Sequence, residues 1–156
     1  MFDEKMLLRD VVATLIARAS ETNRMDQTVL LLLVYLCDWH SCVKYGRRFT
    51  DVTWRVSKHG LADDGLETYI RTHQAEFQYD NIAEMVISKV KAPSETSEWS
   101  AAVIDRVCAL YKEKMRSGLA TFAMSTYPIL SSSSEILEPI DLLQKSREYL
   151  EIKDGE

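Results

Sequence analysis

The chain has 156 residues, a formal net charge of −5, 46% hydrophobic residues and 28% charged residues. This size and composition predict one soluble globular domain that can bury its own core without disulfides or metals. The acidic charge argues against nonspecific binding to nucleic acid, which depends on Lys and Arg neutralising phosphates. The three cysteines, Cys37, Cys42 and Cys108, are an odd number and indicate a reducing compartment rather than a disulfide framework.

The first residues and the apolar runs favour a cytoplasmic protein without a membrane anchor. The segment MFDEKMLLRD contains two early acids and no small-residue cleavage site, which is not typical of a signal peptide. The apolar run Val29–Cys37 is far shorter than the ~20 residues that span a bilayer, and Asp38 follows it directly.

The first third of the chain predicts two packed helices. Apolar residues recur at helical spacing from Met6 to Ala19, and the polar residues Ser20 to Arg24 predict a turn. Asp26 can cap the second helix with its carboxylate, and Gly46 can end it in the left-handed conformation. Because Val29–Cys37 is apolar on every side, we expect the second helix to be wrapped by the others and to form the centre of the domain.

Asp38 lies on an otherwise apolar face of this helix. Leu31, Val34, Tyr35 and Cys42 share that face by steps of three and four residues. A buried carboxylate needs a cation or several hydrogen-bond donors, since burying it alone costs several kcal/mol. The candidate partners nearest in sequence are Arg47, Lys58 and His59.

The middle of the chain predicts strands and one further helix. Alternating apolar residues between Thr50 and Ser57 predict a half-buried strand that Gly60 closes. Residues Ala62 to Phe77 predict a helix with acids at its N-terminal end. Residues 82–91 fit either a helix or a strand. We favour a strand paired with Val52–Ser57, because that strand needs a partner for its backbone groups.

The last third predicts two more helices. Ser97 begins one, Ser117-Gly118 interrupts it, and a turn over Leu119–Met124 is stopped by Pro128. Pro139 then opens a final helix, Pro139–Ile152. The expected fold is mainly α (α+β): a compact helical domain, residues 1–130, around a central buried helix with a small antiparallel β-hairpin. Residues 131–156 are expected to form a linker and a helix docked on the same domain.

No residues predict a metal or cofactor site. Cys37 and His40 share a helix face, whereas Cys42 points roughly 140° away at about 100° per residue, so that only two ligands would converge. Structural zinc needs four ligands, and packing is the better interpretation of both cysteines. Four glycines lack the spacing of a phosphate-binding loop: Gly46, Gly60, Gly65 and Gly118.

His59 is the one candidate for chemistry. It could act as a general base together with Asp38, in a small hydrolase-like enzyme. However, no serine or cysteine in a nucleophile-elbow setting and no revealing carboxylate pair accompanies it. A structural histidine bonded to Asp38 or to a carbonyl group is therefore favoured. His73 lies in a polar helical stretch and is expected to face solvent. We expect no enzymatic activity.

A basic segment offers the best candidate for binding. Lys44, Arg47, Arg48, Arg55 and Lys58 are accompanied there by one acid, Asp51. They predict a local positive face for an acidic partner or a nucleic acid, or else neutralisation by the acids just downstream, Asp63, Asp64 and Glu67. Tryptophans such as Trp54 and Trp99 are more often core residues, but a half-exposed Trp54 beside Arg55 would be a good interface anchor.

The strings LVYLCDWHSCVKYGRRFT and WRVSKHG resemble the Panacea or SocA-like domain, the antitoxin domain of many bacterial and phage toxin–antitoxin pairs. The matching positions of the first block are Tyr35, Leu36 and Asp38, then Tyr45-Gly46, Thr50, Trp54 and His59-Gly60. A looser second block runs from Ile104 through Gly118-Leu119 to Ser125–Pro128, so that the resemblance spans residues 7–128. Leu61 stands where the family usually has Pro, and Tyr127 where it usually has His.

The resemblance implies a mainly helical, non-enzymatic protein that neutralises a cognate toxin by direct binding. In some members the domain also delivers the toxin to a protease. Many relatives carry an extra DNA-binding domain, for which this chain is expected to have no room. The predicted contact residues are Arg47, Arg48, Trp54 and Arg55. The motif residues to which we assign structural roles are Tyr35, Asp38, Tyr45, Gly46, Thr50, His59 and Gly60.

Two other functions stay open at this point. A phage-defence or counter-defence protein could use the same scaffold to sense or block another protein. The enzyme based on His59 and Asp38 is the second. The identity of the toxin and the oligomeric state do not follow from these residues.

Overall fold

A computed structural model describes residues 5–57, 60–132 and 138–155 of the chain. Helices predominate over strands within these ranges, which confirms a mixed α+β protein with a helical majority. The helices are α1 (Leu8–Ala19), α2 (Gln27–Tyr45), α3 (Leu66–Thr72), α4 (Glu98–Met124), α5 (Tyr127–Leu130) and α6 (Leu142–Asp154). The strands are β1 (Arg24–Asp26), β2 (Thr53–Ser57), β3 (Gly60–Asp64), β4 (Phe77–Asp80) and β5 (Met85–Ser88).

Local capping chemistry sets both ends of α2. The Asp26 carboxylate accepts hydrogen bonds from the backbone amides of Thr28 and Val29, at 2.8 and 3.2 Å. Gly46 adopts the left-handed conformation at φ 70°, and its amide donates to the Cys42 carbonyl. Both predicted caps are therefore confirmed. Helix α2 packs against α1, α4 and α6, and most of its apolar side chains are buried.

The strands form two separate antiparallel groups. β1, β5 and β4 make a three-stranded sheet in that order, and β2 pairs with β3 as a hairpin in which Ser57 lies opposite Gly60. Residues 82–91 do contain a strand, but its predicted pairing with Val52–Ser57 is wrong, because β5 pairs with β1 and β4 instead.

The helix predicted over Ala62–Phe77 is also wrong over most of its length. Only Leu66–Thr72 is helical, since residues before it pair with β2 and residues after it enter the three-stranded sheet. The start of the short helix is set by Asp63, whose carboxylate accepts from the amides of Leu66 and Glu67. The predicted turn over Ser20–Arg24 ends one residue early, because Arg24 already belongs to β1.

Helix α4 begins as predicted and breaks earlier than predicted. The Ser97 hydroxyl accepts from the Ser100 amide at its first turn. The break lies at Met115, with φ 58° and ψ −176°, rather than at Ser117-Gly118. Pro128 does not stop a helix; it lies in the first turn of α5.

Helix α6 begins at Leu142, three residues after the predicted Pro139, because Asp141 caps it by accepting from the Gln144 amide. The helix packs against α2 and α5. Within the described ranges, no helix combines the length and the apolar character needed to cross a bilayer.

Candidate partner-binding surface

The Asp38 carboxylate organises the loop that follows α2. It is 0% exposed. One oxygen accepts from the amides of Phe49 and Thr50, at 3.0 and 2.6 Å. The other oxygen accepts from the Thr50 hydroxyl, the Trp54 indole and the Arg48 guanidinium, at 2.7, 2.8 and 2.9 Å. The carboxylate thus fastens residues 48–54 to the helix.

The predicted burial of Asp38 among donors is confirmed, whereas Arg47, one of its three candidate partners, is wrong. Arg48, rather than Arg47, supplies the charge, and it also donates to the Val52 carbonyl. The other two candidate partners, Lys58 and His59, lie outside the described residues. Within the part of the chain that the structure describes, the donors to Asp38 come from residues 48–54, so the carboxylate serves the loop.

A second contact joins the two sequence blocks that carry the family resemblance. The buried Tyr35 hydroxyl lies 2.7 Å from the Thr126 hydroxyl, across 91 positions of the chain. The Tyr35 ring also meets the Trp54 ring edge to face at 5.4 Å between centroids.

Gly60 has φ 109°, and a Cβ there would approach the Met124 side chain to 3.3 Å. Glycine is therefore required at this hairpin position.

The four predicted contact residues do not form one exposed face. Trp54 is 0% exposed, so its proposed role as a surface anchor is wrong. Arg48 is tied to Asp38. Arg55 lies in an ion pair of 2.7 Å with Asp64, which is the downstream neutralisation weighed above. The fourth residue, Arg47, is half-buried at the end of α2.

Arg47 lies over the ring of Trp99, with 3.7 Å between its guanidinium carbon and the ring centroid. Trp99 is itself buried, and its indole donates to the Ser41 hydroxyl at 3.0 Å. A cleft of about 520 Å³ opens beside this pair, lined by Tyr45, Arg47, Glu98, Trp99 and Ala102. Tyr45, expected to have a structural role, is 38% exposed at its edge. We call this opening the Arg47 cleft.

The described cysteines and histidines do not form a metal centre. No cluster of three or more His, Cys, Asp or Glu side chains suited to a metal ion occurs in residues 5–57, 60–132 and 138–155. All three cysteines are buried thiols. Burial raises the pKa of Cys42 to about 12 and that of Cys108 to about 11, so neither is a thiolate near neutral pH. His73 is exposed, as expected, and stacks on Tyr69.

Sequence reasoning missed the contribution of α4 to this surface. The helix that begins at Ser97 was predicted, but Glu98, Trp99 and Ala102 were not linked to Arg47, because nothing local indicates which helix packs beside the end of α2. No family model, no curated protein and no solved structure matches this chain.

Proposed function

We propose that this chain is an antitoxin-type protein-binding module that neutralises a cognate toxin by direct binding. The observation that carries the proposal is the common network of the motif residues. Tyr35, Asp38, Thr50 and Trp54 are joined by hydrogen bonds and ring contacts, and Thr126 of the second block meets Tyr35. Because the residues that carry the family resemblance contact one another, they support the proposal that this chain has the family's architecture. The resemblance in turn implies that this architecture serves to bind another protein.

In this proposal α2 is the central helix of the domain, supported by its contacts with α1, α4 and α6. Asp38 holds the loop after α2 in place, and that loop presents Arg47 above Trp99. Arginine and aromatic side chains are enriched where protein interfaces derive most of their energy. The Arg47 cleft is thus the proposed contact region, and the protein acts in the cytoplasm, where delivery of the toxin to a protease would also take place.

The proposal excludes Arg48 and Trp54 from direct contact, which changes how it is tested. Reversing the charge of Arg48 would remove the cation from Asp38 and confuse folding with binding. Arg47→Glu changes the charge of the cleft without touching the Asp38 network. Lys112→Glu is a matched control, because it makes the same charge change at an exposed position of α4. Lys112 lies close to Cys108 and is not among the residues that line the Arg47 cleft.

The test is co-expression with the product of the adjacent reading frame, followed by a growth assay and a pull-down. We expect the wild-type chain to restore growth and to bind that product directly. Arg47→Glu should weaken binding at least tenfold, whereas Lys112→Glu should bind like wild type. An adjacent product that is harmless, or that never binds this chain, would refute the antitoxin function. Equal binding by both variants would remove the Arg47 cleft from the interface.

A further inference from the structure

A small apolar pocket lies between α2, α4 and α6. Its volume is about 150 Å³. Four of its residues follow one face of α2 at helical spacing: Leu36, Trp39, His40 and Val43. The remaining walls come from both arms of α4 and from α6: Arg106, Val107, Leu110, Phe122 and Tyr149. The break at Met115 lets Phe122 reach the same opening as Leu110. Apolar side chains thus form the floor and most of the walls.

Two cationic side chains lie at the pocket. Arg106 lines it, and Lys44 lies one turn of α2 beyond His40. Burial lowers the pKa of His40, and the charges of Lys44 and Arg106 lower it further, with no carboxylate among the groups acting on it. In the part of the chain that the structure describes, no carboxylate lies within ion-pairing distance of Arg106 or Lys44.

The pocket continues the surface that contains the Arg47 cleft. On α4, Ala102 lines the cleft and Arg106, one turn later, lines the pocket. On α2, Tyr45 lines the cleft and its ring meets the His40 ring edge to face at 6.4 Å. Cleft and pocket therefore follow one another along the groove between α2 and α4, with positive side chains beside both.

We propose that this pocket receives a single apolar side chain from an acidic segment of the protein partner. A volume of about 150 Å³ is below the ~300–1,000 Å³ of typical small-molecule sites and matches one anchoring side chain. Anchors of this kind fill desolvated pockets at the centre of an interface, while complementary charges around them select the partner. The choice of a protein as occupant depends on the proposed function, and the requirement for acidic flanks comes from Arg106 and Lys44.

The first test uses defined peptides and the full chain, so it does not need the natural partner. The probes are acetylated, amidated pentapeptides with a central Phe between Glu pairs, the same peptide with a central Ala, and a Phe peptide flanked by Lys pairs. Of the three peptides, we expect only the Glu–Phe peptide to bind, with a roughly millimolar dissociation constant, and to shift the NMR signals of Trp39 and Tyr149. Phenylpropionate is the fourth probe.

Each other outcome of this experiment contradicts the proposal. The pocket does not select an apolar side chain with acidic flanks if the Glu–Phe peptide shifts no NMR signals, or only signals of residues outside the pocket. The same conclusion follows if the Ala peptide or the Lys peptide shifts the signals of Trp39 and Tyr149 equally. Saturation by phenylpropionate at lower concentration than the peptide would identify a site for small organic acids instead.

The second test uses variants against the product of the adjacent reading frame. Val43→Phe fills the pocket from its half-buried rim, and Arg106→Glu reverses its exposed charge. We expect each to weaken binding at least tenfold, with Lys112→Glu as the control for charge on α4. Wild-type-like binding by both variants would remove the pocket and leave the antitoxin function standing. Peptide binding at the pocket without any binding of the adjacent product would refute the function and leave the pocket as an acidic-peptide site.

Discussion

Asp38→Asn should destabilise the fold by about 3–5 kcal/mol, because an amide cannot replace a carboxylate that faces only donors. Asparagine keeps one acceptor oxygen, which can still bind the amides of Phe49 and Thr50. Its NH₂ group would then point at the Arg48 guanidinium and the Trp54 indole, which lie 2.9 and 2.8 Å from the present oxygen. The third donor to that oxygen, the Thr50 hydroxyl at 2.7 Å, can rotate and accept from the NH₂ group instead. Two charge-assisted hydrogen bonds are lost, at about 1.5–3 kcal/mol each, and the smaller cost of burying a neutral amide offsets part of that loss.

The size of this effect makes it measurable by ordinary unfolding experiments. A typical domain has about 5–15 kcal/mol of stability, and about 1 kcal/mol shifts the melting temperature of a chain this size by ~2–4 °C. We therefore expect the melting temperature to fall by roughly 6–20 °C. Urea unfolding followed by tryptophan fluorescence and circular dichroism gives the free energy of unfolding and shows whether the transition stays two-state.

Asp51→Asn provides the matched control, since it makes the same chemical change on a carboxylate that is 90% exposed and forms an ion pair with Lys5. Its effect should stay under about 0.5 kcal/mol. A loss of less than about 1 kcal/mol in Asp38→Asn, or equal losses in both variants, would mean that the carboxylate is not what holds the loop to α2.

Two further predictions concern the break in α4 and the histidine of the pocket. Met115→Gly should stabilise the fold by about 1 kcal/mol in thermal unfolding, because glycine relieves the backbone strain at φ 58° and the side chain that is lost is exposed. Met115→Ala is the control, because alanine keeps the strain. An equal gain in stability for Met115→Ala would disprove this reason. The folded-state pKa of His40 lies below its ordinary value of 6.5. Its contribution to stability is therefore complete above about pH 6.5 and is lost as the pH falls through the folded-state pKa. His40→Gln should flatten the decline in the free energy of unfolding from pH 7 to pH 5, and an unchanged slope would contradict the shift.

Short-range chemistry was readable from the sequence. Side chains that accept hydrogen bonds from amides suit the start of a helix, and Asp26 and Ser97 cap α2 and α4 in this way. Glycine adopts the left-handed conformation easily, and Gly46 ends α2 in it. Asp38 was predicted to be buried because helical spacing placed it on an apolar face. Its choice between Arg47 and Arg48 depends on the path of the loop after Gly46, which the spacing of residues does not determine.

Pairing between distant strands was not readable. Residues 60–64 show little alternation, and they form a strand because β2 lies beside them. The strand at Met85–Ser88 was recognised from its own residues, yet its neighbours β1 and β4 are distant in sequence or unmarked by alternation, so its pairing depends on how the whole chain packs. The burial of Trp54, in contrast, was readable from the sequence. Trp54 alternates with Val52 and Val56, and this spacing places all three side chains on the buried face of the strand.

Helix α6 belongs to the part of the chain outside the family resemblance, yet its Tyr149 closes one side of the pocket and meets the Trp39 ring at 5.7 Å. The proposed pocket thus combines residues from inside the resemblance with one wall from outside it. A change confined to α6 would reshape that wall and leave the motif residues around Asp38 untouched, so the pocket could be altered without redesigning the fold.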